Sequence, residues 1–144
     1  SLDLVQSNGS CYDIGSRPDS IVQKFKGTRF LVLNYLIPND LNFVAYFVIP
    51  DVRPPEWSDS FANLLERFLS VDEDDSFRKS RYKIIPRIVK GNLLVKRGVG
   101  SKPAIVGNKL TTTYSHGDNY FEVDVDVNST AVGVGIFKLV AGCK

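Results

Sequence analysis

The residues of this chain that are best suited to chemistry lie between Asn108 and Asn128, in the stretch NKLTTTYSHGDNYFEVDVDVN. This stretch contains the only histidine, His116. Four carboxylates follow it closely, at Asp118, Glu122, Asp124 and Asp126. A histidine beside carboxylates could serve as a general acid or base, and a row of carboxylates could bind a cation through oxygen. The question is whether the spacing supports either role.

The spacing favours a structural role for these carboxylates. The last three of them alternate with apolar residues, namely Phe121, Val123, Val125 and Val127. Alternation with a period of two is typical of a half-buried β-strand. We therefore expect the apolar side chains to be buried, and Glu122, Asp124 and Asp126 to point outward. The preceding run from Leu110 to Tyr114 predicts a second strand, and SHGDN supplies the Gly, Asp and Asn of a hairpin turn.

Metal binding and nucleophilic catalysis are disfavoured by the same spacing. One histidine and two distant cysteines, Cys11 and Cys143, cannot supply a Cys/His metal site. The alternating acidic residues also lack the Gly and distal Glu of an EF-hand calcium loop. Ser115 is only a sequence neighbour of His116, which does not make a triad in space. We expect no cofactor, no metal and no enzymatic activity, with a hydrolase built around His116 as the enzymatic alternative.

The elements that surround this hairpin predict an α+β domain. RFLVLNYLIP and NFVAYFVIP are two β-prone runs that predict a central hairpin, each ended by proline. SRPDSIVQKF predicts a helix capped by Ser16, with Ile21, Val22 and Phe25 on one face. PPEWSDSFANLLERFLS predicts the clearest helix, capped by Ser58, and VDEDDS after it predicts a solvated loop or a helix start.

The remaining segments complete this prediction. RYKIIPRIVKGNLLVKRGVG, residues 81–100, predicts two short strands around Pro86 and Gly91. KPAIVG predicts a further strand, and Ala131 to Val140 predicts a C-terminal helix. The expected architecture is an antiparallel sheet of about six strands with two or three helices packed on it. Residues 1–10 are expected to be a lead-in, and residues 11–144 a single domain.

Composition excludes several classes of protein. The chain has 144 residues, 43% hydrophobic and 24% charged, which is typical of one ordinary globular domain. It has no apolar run long enough for a spanning helix and no signal-peptide pattern. Because it opens with Ser and contains no Met, we take it as part of a longer protein. Because it shows no secretory features, we take that protein as intracellular.

The distribution of charge is the most informative feature of the composition. The segment from Phe77 to Lys109, called here the basic segment, contains ten basic residues and no acidic one. A net charge of +2 conceals this segregation, which attracts anionic partners such as lipid headgroups or nucleic acid. The candidate lipid- or anion-binding residues are Arg78, Lys79, Arg81, Lys83, Arg87, Lys90, Lys96, Arg97 and Lys102. The alternative is an ordinary solvated face.

The second half of the chain resembles a known family. The stretches FRKSRYKIIP, VKRGVGSKP, GNKLT and YFEVDVDV are similar to the C-terminal domain of the plant enhanced-disease-resistance-two proteins. SRPDSIVQKF and FLVLNYLIP resemble earlier segments of the same domain, so the resemblance covers roughly residues 11–144. Lys90 stands where the family has an acidic residue, and GNLLV replaces its GPW-[IV]-V pattern. These departures predict a divergent relative, such as one from a protist.

The resemblance implies a membrane-associated role. In the plant proteins this domain follows a pleckstrin-homology module and a START lipid-binding module. Those proteins bind phosphatidylinositol 4-phosphate, associate with endomembranes and restrain pathogen-triggered cell death. The family attaches no catalytic residues to this domain.

We therefore expect a non-enzymatic domain that docks on anionic membrane lipid, a phosphoinositide in particular, peripherally on endomembranes or the plasma membrane. Other domains of the parent protein are further expected partners. A protein-interaction or nucleic-acid-binding module is the alternative. Nucleic acid is disfavoured because the basic segment has few aromatic residues for base stacking, with only Phe77 and Tyr82.

Overall fold

The computed structural model describes residues 1–9, 11–84, 104–105, 109–131 and 134. Seven strands are described: β1 (Leu2–Gln6), β2 (Arg29–Ile37), β3 (Leu41–Ile49), β4 (Lys83–Ile84), β5 (Ala104–Ile105), β6 (Thr111–Gly117) and β7 (Tyr120–Asp126). Three α-helices are described: α1 (Ile21–Lys24), α2 (Asp59–Leu69) and α3 (Asp75–Arg81). Two short 3₁₀ helices span Ile14–Ser16 and Val127–Ser129.

The strands form a five-stranded mixed sheet in the order β1-β3-β2-β7-β6, and β4 and β5 pair separately as an antiparallel ribbon. Within the five-stranded sheet, β2 and β7 run parallel, with Phe30 opposite Tyr120, and the other pairings are antiparallel. The α+β prediction is confirmed, and the antiparallel expectation holds for every pair of the sheet except this one.

Both predicted hairpins are present. In the first, the turn between β2 and β3 places Asn39 and Asp40 at positive φ, a conformation that these two residue types tolerate better than most. In the second, Gly117 pairs with Tyr120 across the tip formed by Asp118 and Asn119. The tip residues do not use positive φ. The polar tip was therefore predicted correctly, but for the wrong conformational reason.

The N-terminal part of the chain differs from its prediction. Residues 2–6, expected to be a lead-in, form the edge strand β1 that pairs with β3. Helix α1 begins later than expected, because Ser20 rather than Ser16 caps it by accepting a hydrogen bond from the Val22 N–H. Ser16 belongs instead to the first 3₁₀ helix, and Phe25 is exposed rather than packed.

Each face of the five-stranded sheet has its own apolar cluster. One face is covered by residues 11–24, called here the N-terminal cover, whose Ile14 and Val22 pack with Phe30, Val32 and Val44. On the other face Phe68, Leu69, Tyr82 and Ile84 pack against a row of β7 side chains: Phe121, Val123 and Val125. β7 lies inside the sheet and is therefore covered from both sides.

The helices on the second face follow the capping signals in the sequence. Ser58 caps α2 by accepting the Phe61 N–H, as predicted. The acidic VDEDDS stretch forms the start of α3, because Asp74 caps this helix by accepting the Ser76 N–H.

At the C-terminus, the Val134 N–H donates to the Thr130 carbonyl at 3.1 Å. The rest of the predicted C-terminal helix lies outside the described residues.

Candidate functional site

The carboxylates of β7 lie on the inside of the protein. Glu122 has no exposed surface and Asp124 is 2% exposed, so the prediction that they point outward is wrong. The alternation itself is real, but β7 has neighbours on both edges and a covered face on both sides, and the polar face is therefore buried as well. Asp126, at the end of the strand, and Val127, in the 3₁₀ helix that follows, are only half-buried. Glu122 and Asp124 are called here the acid pair.

Glu122 holds the N-terminal cover onto the sheet. Its Oε1 accepts the Ile14 N–H at 2.8 Å, and its Oε2 accepts the Gly15 N–H at 2.7 Å. These are the first N–H groups of a 3₁₀ helix, which have no partner within the helix and carry partial positive charge. Glu122 thus caps the first 3₁₀ helix, although it lies more than a hundred residues away in sequence.

Asp124 joins the acid pair to two buried asparagines. Its Oδ1 accepts a hydrogen bond from Asn34 Nδ2 at 2.6 Å. Asn42 Nδ2 donates to Asn34 Oδ1 at 2.8 Å, and both amides donate to the Cys11 carbonyl, at 2.8 and 2.9 Å. Asn34 and Asn42 have no more than 1% of their surface exposed. The network therefore ties β2, β3 and β7 to the start of the N-terminal cover.

The acid pair is electrostatically unusual. Its two side chains lie two residues apart on the same face of one strand. Burial, and after it the neighbouring Asp124, raise the pKa of Glu122 to about 8. Burial also raises the pKa of Asp124, although hydrogen bonds from its neighbours act against this shift. Two carboxylates that share a buried site cannot both ionise easily, so the pair favours holding one proton.

The ring of Tyr120 is the second contact that fixes the N-terminal cover. A Cβ added at Gly15 would lie 2.5 Å from this ring, and one added at Gly117 would lie 2.3 Å from it. The ring thus lies between two backbones that approach it closely because glycine has no side chain. The Tyr120 hydroxyl donates to Asp13 Oδ1 at 2.7 Å, in the segment that the acid pair also holds.

Arg78, the first residue of the predicted anion-binding set, is not on the surface. It is 3% exposed, and its guanidinium donates to the carbonyls of Phe68, Ser70 and Glu73 and to the carboxylate of Asp75. These contacts fasten α3 to the end of α2. The basic segment therefore begins with a structural arginine that cannot also bind a lipid headgroup.

Three other members of the set lie where a partner can reach them. Arg81 and Lys83 are exposed, and Lys79 is half-buried. Together these residues, at the end of α3 and the start of β4, form what we call the basic edge. The remaining five candidates, Arg87, Lys90, Lys96, Arg97 and Lys102, lie outside the described residues.

The histidine lies apart from the acid pair. Alternation along β6 places Ser115 on the face of Glu122, and His116 on the opposite face beside Phe121. His116 and Asp118 line an open cleft of about 170 Å³ next to Arg29. The described lining of this cleft includes no serine, threonine or cysteine. Within the described ranges, no three His, Cys, Asp or Glu side chains come together as metal ligands.

No helix in the described part of the chain combines the length and apolar character needed to cross a bilayer.

Comparisons with known proteins agree with the resemblance in the sequence. The chain is similar to a protein of Arabidopsis thaliana named Protein ENHANCED DISEASE RESISTANCE 2-like, with 38% identity over 119 residues. The match covers 81% of this chain but only 15% of that relative. No solved structure matches the chain. The family model described as Protein ENHANCED DISEASE RESISTANCE 2, C-terminal, matches residues 1–143, and the chain therefore belongs to this family.

Proposed function

We propose that this chain is a non-enzymatic domain of a larger intracellular protein, and that it docks on anionic, phosphoinositide-containing membrane through its basic segment. The observation that carries the proposal concerns the side chain of Arg81. This side chain is exposed, and Arg81 is the one arginine among the described residues that forms no ion pair. An exposed arginine without a carboxylate partner is available to a phosphate.

The other described arginines are already engaged. The ion pairs are Arg17–Asp19, Arg29–Glu66, Arg53–Asp59, Arg67–Glu73 and Arg78–Asp75. Arg81 has no carboxylate close to it in sequence on its C-terminal side, because no acidic residue lies between Phe77 and Lys109. The Arg81 guanidinium lies 5.3 Å from the centroid of the Phe77 ring, a cation–π contact that limits its freedom. A positioned cation loses less entropy on binding than a free one.

Lys79 and Lys83 add to this charge. Each basic residue near an anionic surface contributes on the order of 1 kcal/mol, so three of them bind only weakly and reversibly. The chain matches only a small part of a much longer relative. Weak docking suits one domain of such a long protein, because other modules of the same protein add to the binding. The lipid-binding modules that the family resemblance implies for the parent protein would act in this way.

The test is a flotation assay with liposomes of neutral phosphatidylcholine, with and without phosphatidylinositol 4-phosphate. We expect binding only to the phosphoinositide liposomes, falling steeply with salt because charges are screened beyond about 8 Å at physiological ionic strength. The variant Arg81→Glu/Lys83→Glu should bind at least about tenfold more weakly. The matched control is Lys24→Glu/Lys26→Glu, which makes the same charge change on exposed residues at the end of α1.

Three outcomes would contradict the proposal. The parent chain could ignore phosphoinositide liposomes, the two double variants could weaken binding equally, or the chain could bind single-stranded RNA in place of liposomes. Equal weakening would mean that net charge alone governs binding. Arg78 is left unchanged in this experiment, because its replacement would disturb the fold.

A further inference from the structure

The acid pair raises a question that membrane docking does not answer. Two carboxylates are buried side by side, and no lysine or arginine forms an ion pair with either of them among the described residues. Buried charges in proteins are normally paired. Here the partners of Glu122 are backbone N–H groups, and those of Asp124 are the Asn34 amide and, at 3.5 Å, the Ser115 hydroxyl. These neutral groups can stabilise one negative charge but leave the second without compensation.

We propose that Glu122 and Asp124 hold one shared proton, and that this proton latches the N-terminal cover onto the sheet. With one proton, one carboxyl donates to the other, and the single remaining charge is distributed over the N–H groups of Ile14, Gly15 and Asn34. Without it, two negative charges face each other in a dry site, and the cover must move away to admit water. Removing the proton therefore opens the latch.

The groups that face the pair make a second negative charge harder to accept. Asp13 of the N-terminal cover lies close enough to interact with Asp124 and already accepts the Tyr120 hydroxyl. Tyr46 of β3 faces Glu122, and burial raises its pKa, so it stays neutral. The Arg17 guanidinium of the cover is bound to Asp19 and to the Cys11 sulfur. None of these groups offers a compensating positive charge.

Opening would uncover an apolar surface. The cover contributes Ile14 and Val22 to the cluster that includes Val32 and Val44, and both of these valines have no exposed surface in the closed form. The latch therefore couples the protonation of two carboxyls to the exposure of this sheet face.

The pH window of the latch follows from the two states. Free glutamate titrates near pH 4.3, whereas the closed pair retains its proton up to about pH 8. Between about pH 4.3 and pH 8, opening therefore releases one proton. The equilibrium constant for opening should rise about tenfold per pH unit in this range and level off above pH 8. The latch is firmly closed in acid and weakest at alkaline pH.

Hydrogen exchange of the Ile14 and Gly15 amides, followed by NMR from pH 5 to pH 9, tests the latch. Their protection factors should fall about tenfold per pH unit up to pH 8. The protection factor of the Leu65 amide should stay level where that amide exchanges by local opening of α2, because this opening does not release the proton of the acid pair. In the variant Asp124→Asn the new amide can donate to Glu122 in place of the shared proton. Protection of Ile14 and Gly15 should then become independent of pH. In Asp126→Asn, the matched change at the half-buried end of β7, the wild-type slope should remain.

Two results would overturn the proposal. One is protection of Ile14 and Gly15 that does not change with pH in the wild-type chain. The other is the same slope in Asp124→Asn as in the wild type. A ¹³C titration of the wild-type carboxyls decides the matter even if the variant does not fold, because both carboxyls titrating below pH 5 would exclude a shared proton.

Discussion

At the scale of single residues, the side chains that matter most here are polar and buried. Asn34 and Asn42 each interrupt an apolar strand, and such a position inside a β-prone run is a signal that the side chain has a buried partner. That signal was available in the sequence. The identity of the partners was not, because Cys11 and Asp124 meet these amides only through the arrangement of β2, β3 and β7.

Arg78 should be essential for stability rather than for binding. Replacing it by Gln would leave several partly buried carbonyls without their donor, so we expect Arg78→Gln to lower the free energy of unfolding by about 3 kcal/mol. Urea unfolding measures this change. Arg81→Gln, three positions along the same helix, should change it by less than about 0.5 kcal/mol. Equal effects of the two substitutions would count against the structural role.

Gly117 should be intolerant of a side chain because of Tyr120. Alanine at this position would place its Cβ against the ring, so we expect Gly117→Ala to destabilise the fold by about 1–3 kcal/mol. The control is the same substitution in a Tyr120→Ala background, where the space is free and the loss should largely disappear. A loss of the same size in both backgrounds, measured by thermal unfolding, would mean that crowding by the ring is not the cause.

At the scale of elements, local signals predicted most of the secondary structure and failed where tertiary position decides. The β2–β3 hairpin was predicted from two β-prone runs that each end at a proline. Helix α2 was predicted from its apolar periodicity and its serine cap. All of these signals are local in sequence. β1 was missed because LDLVQ is short and mixed in character, and its pairing with β3 is a long-range contact that the local sequence does not indicate. For β7 the alternation predicted a strand, but not that both of its faces would be covered.

The cap of α2 illustrates such a local signal and can be tested directly. Ser58 accepts the Phe61 N–H, and removing that acceptor by Ser58→Ala should lower the free energy of unfolding by about 1 kcal/mol. Ser60→Ala, at an exposed position in the first turn of the same helix, should leave it unchanged or slightly higher, because alanine favours helix. A larger loss from Ser60→Ala would show that the serine at position 58 is not the cap.

At the scale of the whole molecule, the acid pair should make the stability of the fold depend on pH in an uncommon direction. The pKa of Glu122 is raised to about 8 by burial and by Asp124, so between about pH 4 and pH 8 the folded chain binds more protons than the unfolded chain. The free energy of unfolding should therefore decrease as pH rises through this window, by on the order of 4 kcal/mol from pH 5 to pH 8.

Urea unfolding at these two pH values checks the direction. The Arg67 guanidinium lowers the pKa of Glu73. This pairing makes the free energy of unfolding rise with pH, but only in more acidic solution. Asp124→Asn should reduce the difference between pH 5 and pH 8, and Asp126→Asn should preserve it. A wild-type stability that is constant or rises toward pH 8 would be inconsistent with the raised pKa.

The parallel pairing of β2 with β7 has a consequence for how the domain is made. β2 and β3 are adjacent in sequence and can pair at once, but β7, which covers the other edge of β2, is synthesised only after α2 and α3. At about 5–20 residues per second, this apolar edge stays open for several seconds. An open apolar edge invites pairing with other nascent chains. We therefore expect β2 to be exposed to such mispairing during synthesis until Tyr120–Asp126 is available to cover it.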